Sequence, residues 1–144
     1  MIDHSVLARQ VAAVRDAAER IREVLPAQIE AFVADRSARE IVTLNLFVAL
    51  QECLSLASHW LADEGWEVPG TYAEVFRVLA ERNVLDHDLA ARMAEAAGLR
   101  NLIAHRYGAL DWIRIHDIAS HHVEDLLRFC DVLADAAGDG GDRS

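Results

Sequence analysis

The stretch Ser37-Ala38-Arg39-Glu40-Ile41-Val42-Thr43-Leu44-Asn45-Leu46-Phe47-Val48-Ala49-Leu50-Gln51-Glu52-Cys53-Leu54-Ser55-Leu56-Ala57-Ser58-His59-Trp60-Leu61-Ala62 decides the fold class. It runs 26 residues without glycine or proline. Two apolar stripes recur at helical spacing, Ile41/Leu44/Val48 and Phe47/Leu50/Leu54/Ala57/Leu61. A surface helix needs one such stripe, so two predict a helix covered on two sides, central in a bundle.

The flanks supply the other helices. Leu7, Val11, Val14, Ala18, Ile21 and Leu25 follow a 4-3-4-3-4 spacing, a narrow seam for a helix over 5–25. Pro26 to Asp35 reads as a connector with one or two helical turns. Gly65 to Gly70 reads as a loop, and Thr71-Tyr72-Ala73-Glu74 as a capping box opening a short helix to Arg82. Asn83 suits a left-handed helix end, and Asp86 suits the cap of a helix over 87–107. A last helix is expected over 111–136, carrying Ile115, Ala119, Leu126, Phe129 and Leu133. The expectation is an all-α, up-and-down bundle of four to five main helices, one domain over 1–137, with a disordered tail over 138–144.

Composition narrows the function classes. Apolar residues make up 53% of 144, and sustained period-2 runs are missing, which favours a helical globular domain. No apolar run reads as a membrane span and Met1-Ile2-Asp3-His4 does not open a signal sequence, so the expected location is cytoplasmic. Cys53 and Cys130 lack metal-type spacing and read as reduced core thiols. The net charge of −10 argues against a general nucleic-acid coat, though not against a local basic cleft. All 14 basic residues are arginine.

The chemistry concentrates in Arg100-Asn101-Leu102-Ile103-Ala104-His105-Arg106-Tyr107. Arginine holds phosphoryl oxygens in a fork, and histidine moves a proton near neutral pH. The bare Arg-to-His spacing is expected about 0.7 times by chance in such a chain, so spacing is not the signal. Arg82-Asn83-Val84-Leu85-Asp86-His87 repeats it across a helix end and a new cap, a connector's geometry. In the octet, steps of about 100° put Arg100, Asn101, Ala104, His105 and Tyr107 on one arc of about 160°. Arg100 continues the apolar stripe of Leu85, Leu89, Met93, Ala96 and Ile103. A guanidinium there is partly desolvated and calls for a carboxylate or a phosphate. An ordinary structural ion pair satisfies the same requirement, so chemistry alone leaves both readings open.

The run Met93-Ala94-Glu95-Ala96-Ala97-Gly98-Leu99-Arg100-Asn101-Leu102-Ile103-Ala104-His105-Arg106-Tyr107 closely resembles the signature of HepT-like proteins of the HEPN superfamily. Their motif is Arg, a polar residue, variable positions and His, with Tyr two places later. The resemblance covers residues 5 to about 136, including Val68-Pro69-Gly70-Thr71-Tyr72 and the helix of Phe76 and Leu79. It implies an all-α homodimer whose two motifs face each other across a cleft. It also implies a metal-independent endoribonuclease toxin, neutralised by an MntA-like minimal nucleotidyltransferase antitoxin that adds AMP to the motif tyrosine, here Tyr107. Carried over, Arg100 stabilises the scissile phosphate of RNA, His105 is general base or acid, and Asn101 orients His105 or the phosphate. A 2′,3′-cyclic phosphate product follows, with no cofactor and no metal.

Other features are weaker. Asn45, Glu52 and His59 share an azimuth with Ser55 beside them, either a solvated stripe or a polar line facing Arg100 with Glu52 as its carboxylate partner. His116, Asp117, His121 and His122 lack a His-x-x-x-His pair and do not read as a metal site. Trp60, Trp66 and Trp112 read as packing at loops and bundle ends. The alternative to a nuclease is a non-catalytic helical binding subunit that presents nucleotide or substrate to a partner nucleotidyltransferase.

Overall fold

A computed structural model describes residues 2–142, with the side chains of 139–142 left out of account. Its helices are α1 (His4–Val24), α2 (Ile29–Ala34), α3 (Arg36–Asp63), α4 (Tyr72–Glu81), α5 (His87–Arg106), α6 (Trp112–His121) and α7 (Val123–Asp142), with a 3₁₀ turn at Tyr107–Ala109. No strand interrupts them among the described residues. This is the all-α bundle that the apolar periodicity predicts.

Local chemistry sets the helix ends. Asp3 accepts from the Ser5 and Val6 amides, Asp35 from Ala38, Thr71 from Glu74 and Asp86 from Leu89, each satisfying a first-turn N–H that has no partner in its own helix. Gly65 (φ 76°) and Asn83 (φ 61°) close α3 and α4 in the left-handed conformation. There the amides of Trp66 and Val84 reach back to the carbonyls of Leu61 and Leu79 at 2.9 Å each. Arg82 to His87 is therefore a connector, as its sequence indicates.

The 4-3-4-3-4 seam of α1 is buried from Leu7 to Ile21 and packs along α3. On α3, Leu50, Leu54, Ala57 and Leu61 are buried as expected, and a second covered face consists of Val42, Leu46, Ala49, Cys53 and Leu56. The predicted Ile41/Leu44/Val48 stripe is not covered: Leu44 is 61% exposed, and Ile41 and Val48 are half-buried. By length and composition α3 is apolar enough to cross a membrane, contrary to the sequence reading. Its apolarity reflects burial against α1, α4, α5 and α7 on several sides. Phe76 and Phe129 meet edge to face at 5.6 Å where α4 packs near α7. Cys53 and Cys130 are buried free thiols, and burial, followed by the hydrogen bond with Cys130, holds the Cys53 thiol well above its usual range.

The last helix expected over 111–136 is two helices. The chain turns at His122 (φ −115°, ψ −4°), whose amide still reaches the Ile118 carbonyl at 2.8 Å. Between Ala119 and Val123 lie only Ser120, His121 and His122, none buried, so no packing holds these weak helix formers in register. The break lets α6 lie on α2 while α7 lies on α1. The tail expected over 138–144 overlaps the end of α7, which runs to Asp142, and its last two residues lie outside the described ones.

Candidate functional site

The octet occupies the last two turns of α5 and the start of the 3₁₀ turn. Ile103 is buried and anchors the helix end, while Asn101, Ala104, His105, Arg106 and Tyr107 are exposed. Arg100 is half-buried, the partial desolvation expected from its place in the apolar stripe. Its partner is not a carboxylate. Nε donates to Gln51 Oε1 at 2.8 Å, Nη1 donates to Asn101 Oδ1 at 3.0 Å, and the guanidinium carbon lies 5.7 Å from the Phe47 ring centroid. These contacts orient the fork without neutralising it. A guanidinium has five N–H donors, so Nη2 and the remaining Nη1 proton stay available.

Glu52 is not the Arg100 partner that the polar-line reading puts there; the neighbouring Gln51 is. The supposed polar line faces elsewhere: Asn45 donates to its own helix at the Ile41 carbonyl, Ser55 accepts from Gln10 of α1 at 2.9 Å, and His59 is exposed. Gln51 was legible in principle. It follows Phe47 by four residues and Leu44 by seven, so it continues their stripe on the side of α3 that meets α5.

Asn101 is bound to Arg100, and His105 has no hydrogen bond among the described residues, so within one chain Asn101 does not orient His105. Arg100 and His105 are brought to one helix end but not into mutual contact. Tyr107 is 46% exposed and lies edge-on to Trp112, centroids 6.4 Å apart. Trp112 in turn touches Phe32 at 6.3 Å and lies under the Arg39 guanidinium at 5.2 Å. Reading Trp112 as packing alone missed its contact with the motif tyrosine, because that contact depends on how α6 folds back after the 3₁₀ turn. Beside Tyr107 an open, mostly apolar groove of about 330 Å³ is lined by Glu40, Thr43, Leu44, Phe47, Ile103 and Ala104.

The other weighed residues take ordinary places. His116 Nε2 is 2.8 Å from the Pro26 carbonyl and its ring packs on Phe32. Asp117 is 3.9 Å from His121 and 3.8 Å from His122 in exposed pairs. Trp66 lies under Arg82, and Trp60 is buried in the core.

With this geometry in hand, comparison with known proteins is specific. The sequence model of one protein family, ribonuclease HepT-like, matches residues 14–133. The chain belongs to this HepT-like family. It is 25% identical over 130 residues to the mRNA nuclease HepT of Shewanella oneidensis, covering 90% of this chain and 97% of that protein. It is similar in structure (TM-score 0.83, 26% identity, 94% of this chain and 99% of the other) to the tri-AMPylated Shewanella oneidensis HEPN toxin solved with its MNT antitoxin. A second solved toxin–antitoxin structure with MntA, carrying a tyrosine-to-alanine mutation, superposes with a TM-score of 0.82 at 25% identity, covering 90% of this chain and 98% of that one. The match to the family spans the whole motif, and the relatives are covered almost from end to end.

Proposed function

We propose that this HepT-like chain is the toxin of a toxin–antitoxin pair, a metal-independent endoribonuclease acting on RNA in the cytoplasm. The observation that carries this reading is the state of Arg100: half-buried, oriented by Gln51 and Asn101, and paired with no carboxylate. A desolvated cation without a counter-anion favours an incoming phosphate.

In the mechanism, His105 removes the proton from a ribose 2′-hydroxyl, and that oxygen attacks the adjacent phosphorus. Arg100 stabilises the charge that develops on the non-bridging oxygens. The bond from phosphorus to the 5′-oxygen breaks as that oxygen takes a proton, leaving a 2′,3′-cyclic phosphate and a 5′-hydroxyl. One exposed imidazole cannot reach both faces of the phosphorus. A second copy of the chain supplies the other, so base and acid come from two subunits. The surface suits this arrangement: exposed Leu44 and half-buried Phe47 border the groove beside the motif, an apolar face for a second copy that leaves Tyr107 accessible at its edge.

Neutralisation is assigned to an MntA-like nucleotidyltransferase that adds AMP to Tyr107. The exposed ring, two residues after His105, offers a phenol to an outside enzyme, and a nucleotide there adds bulk and negative charge where RNA must enter. Incubating the purified chain with ATP and its partner, then weighing both proteins, tests this step. A gain of one or more AMP units that Tyr107→Phe abolishes supports it, and AMP on a different residue contradicts it.

A further inference from the structure

Tyr107 does not stand alone. Arg36 and Arg39, on the first turns of α3, each contact a residue that neighbours Tyr107. Arg36 is almost fully exposed, its side chain at 84%, and its partner is Glu40 at 2.7 Å. Glu40 itself lines the groove with Tyr107. Arg39 is half-buried over Trp112, the ring against which Tyr107 rests. It donates to the Val33 carbonyl, its buried Nε has no partner, and no carboxylate pairs with it. Two positive charges, one weakly held and one uncompensated, are therefore each joined to Tyr107 through a single shared neighbour, Glu40 for Arg36 and Trp112 for Arg39.

We propose that Arg36 and Arg39 form the receptor for the phosphate of a nucleotidyl group carried on Tyr107, with Arg36 leaving Glu40 for the new phosphodiester. This rests on the reading of Tyr107 as the AMP acceptor. In that transfer the Tyr107 Oη attacks the α-phosphorus of ATP held by the partner enzyme. The bond from that phosphorus to the oxygen bridging to the β-phosphate breaks, and pyrophosphate leaves. The phenolic proton passes to solvent. A neutral side chain thereby gains a phosphodiester with one negative charge.

That charge needs a counter-cation. Arg36 and Arg39 each touch a neighbour of Tyr107, Glu40 of its groove and Trp112 against its ring, contacts that Arg100 does not make. An exposed i,i+4 pair such as Arg36–Glu40 holds weakly, and a guanidinium grips a phosphate through two parallel hydrogen bonds. Electrostatics point the same way: the Glu40 hydrogen bond and then its charge raise the Arg36 pKa, desolvation lowers it, and a negative charge on Tyr107 adds the smallest rise. The receptor turns the modification into a docked state, with the phosphodiester held by the two guanidinium groups and shielded from removal.

The test uses the full chain modified by its partner and ATP, then digested with a phosphodiesterase that releases AMP, followed by intact mass at low salt. Arg36→Gln is expected to lose AMP about tenfold faster than the parent, Arg36→Lys to fall between, and Arg20→Gln, on the exposed face of α1, to match the parent. Equal rates for the parent and Arg36→Gln overturn the receptor while leaving the modification intact. A parent chain that gains no AMP overturns both.

Discussion

The Nε of Arg100 on α5 donates to Oε1 of Gln51 on α3 at 2.8 Å, and this bond fixes the direction of a half-buried, otherwise uncompensated cation. An amide holds the guanidinium in place without spending its charge, whereas a carboxylate would do both. In the proposed mechanism Gln51 is therefore a positioning residue, acting on RNA through Arg100.

Gln51→Leu is expected to lower kcat for RNA cleavage about tenfold, equivalent to about 1.4 kcal/mol of transition-state stabilisation, with KM little changed. Gln51→Glu lowers kcat as well, because the carboxylate neutralises Arg100 before substrate arrives. Single-turnover kinetics on a labelled RNA checks both. A Gln51→Leu protein with unchanged kcat contradicts the positioning role.

The exposed Leu44 marks the face assigned to a second copy. Leu44→Asp should leave the fold intact, since the side chain packs in no core. It should shift the chain from dimer to monomer in sedimentation and reduce cleavage with it. A Leu44→Asp protein that remains dimeric places the interface elsewhere.

Two helix caps contribute to the acid sensitivity of the fold. Hydrogen bonds from Ser5, first through its side chain and then its amide, lower the Asp3 pKa, and the Leu89 amide lowers that of Asp86. A carboxylate whose folded pKa is depressed adds stability above its unfolded value, and that stability is lost as pH falls through the folded value. Melting temperature should therefore fall below about pH 4, the ordinary carboxylate range. The Asp3→Asn/Asp86→Asn protein keeps the cap acceptors but not the titration, and should fall less steeply over that range. Equal slopes count against the caps.

Phe76 is fully buried and meets Phe129 edge to face at 5.6 Å. Phe76→Ala should cost about 3–5 kcal/mol in denaturant unfolding, the range for an aromatic side chain lost from a packed core. Phe76→Leu should cost less than half as much. A loss under about 1 kcal/mol for Phe76→Ala means the junction of α4 and α7 is loosely packed.

How much of this was legible in the sequence follows from what periodicity encodes. Apolar spacing on α1 and α3 and the caps at Thr71 and Asp86 are local signals, and each predicts its helix correctly. The octet stands out in the sequence too, because Arg100 and His105 lie within two turns of one helix and Tyr107 follows directly in the 3₁₀ turn. Periodicity does not say which stripe meets which neighbour. Two stripes on α3 predicted two covered sides, yet Leu44 faces outward, and only the packing of α3 against α5 separates Gln51 from Glu52 as the residue that meets Arg100. The bend at His122 and the resulting seat of Trp112 on Tyr107 likewise come from α6 and α7 packing on different helices. Within α6 and α7 the apolar phase is nearly continuous, so the sequence alone reads as one helix.

The most direct measurement is cleavage of a labelled RNA by the purified chain, without added metal, compared with folded Arg100→Ala and His105→Ala proteins. The account predicts cleavage by the parent that leaves 2′,3′-cyclic phosphate ends, and a loss of at least about a hundredfold in either variant, the lower end of what a general base or a charge-stabilising donor contributes. Cleavage by both variants at the parent's rate contradicts it.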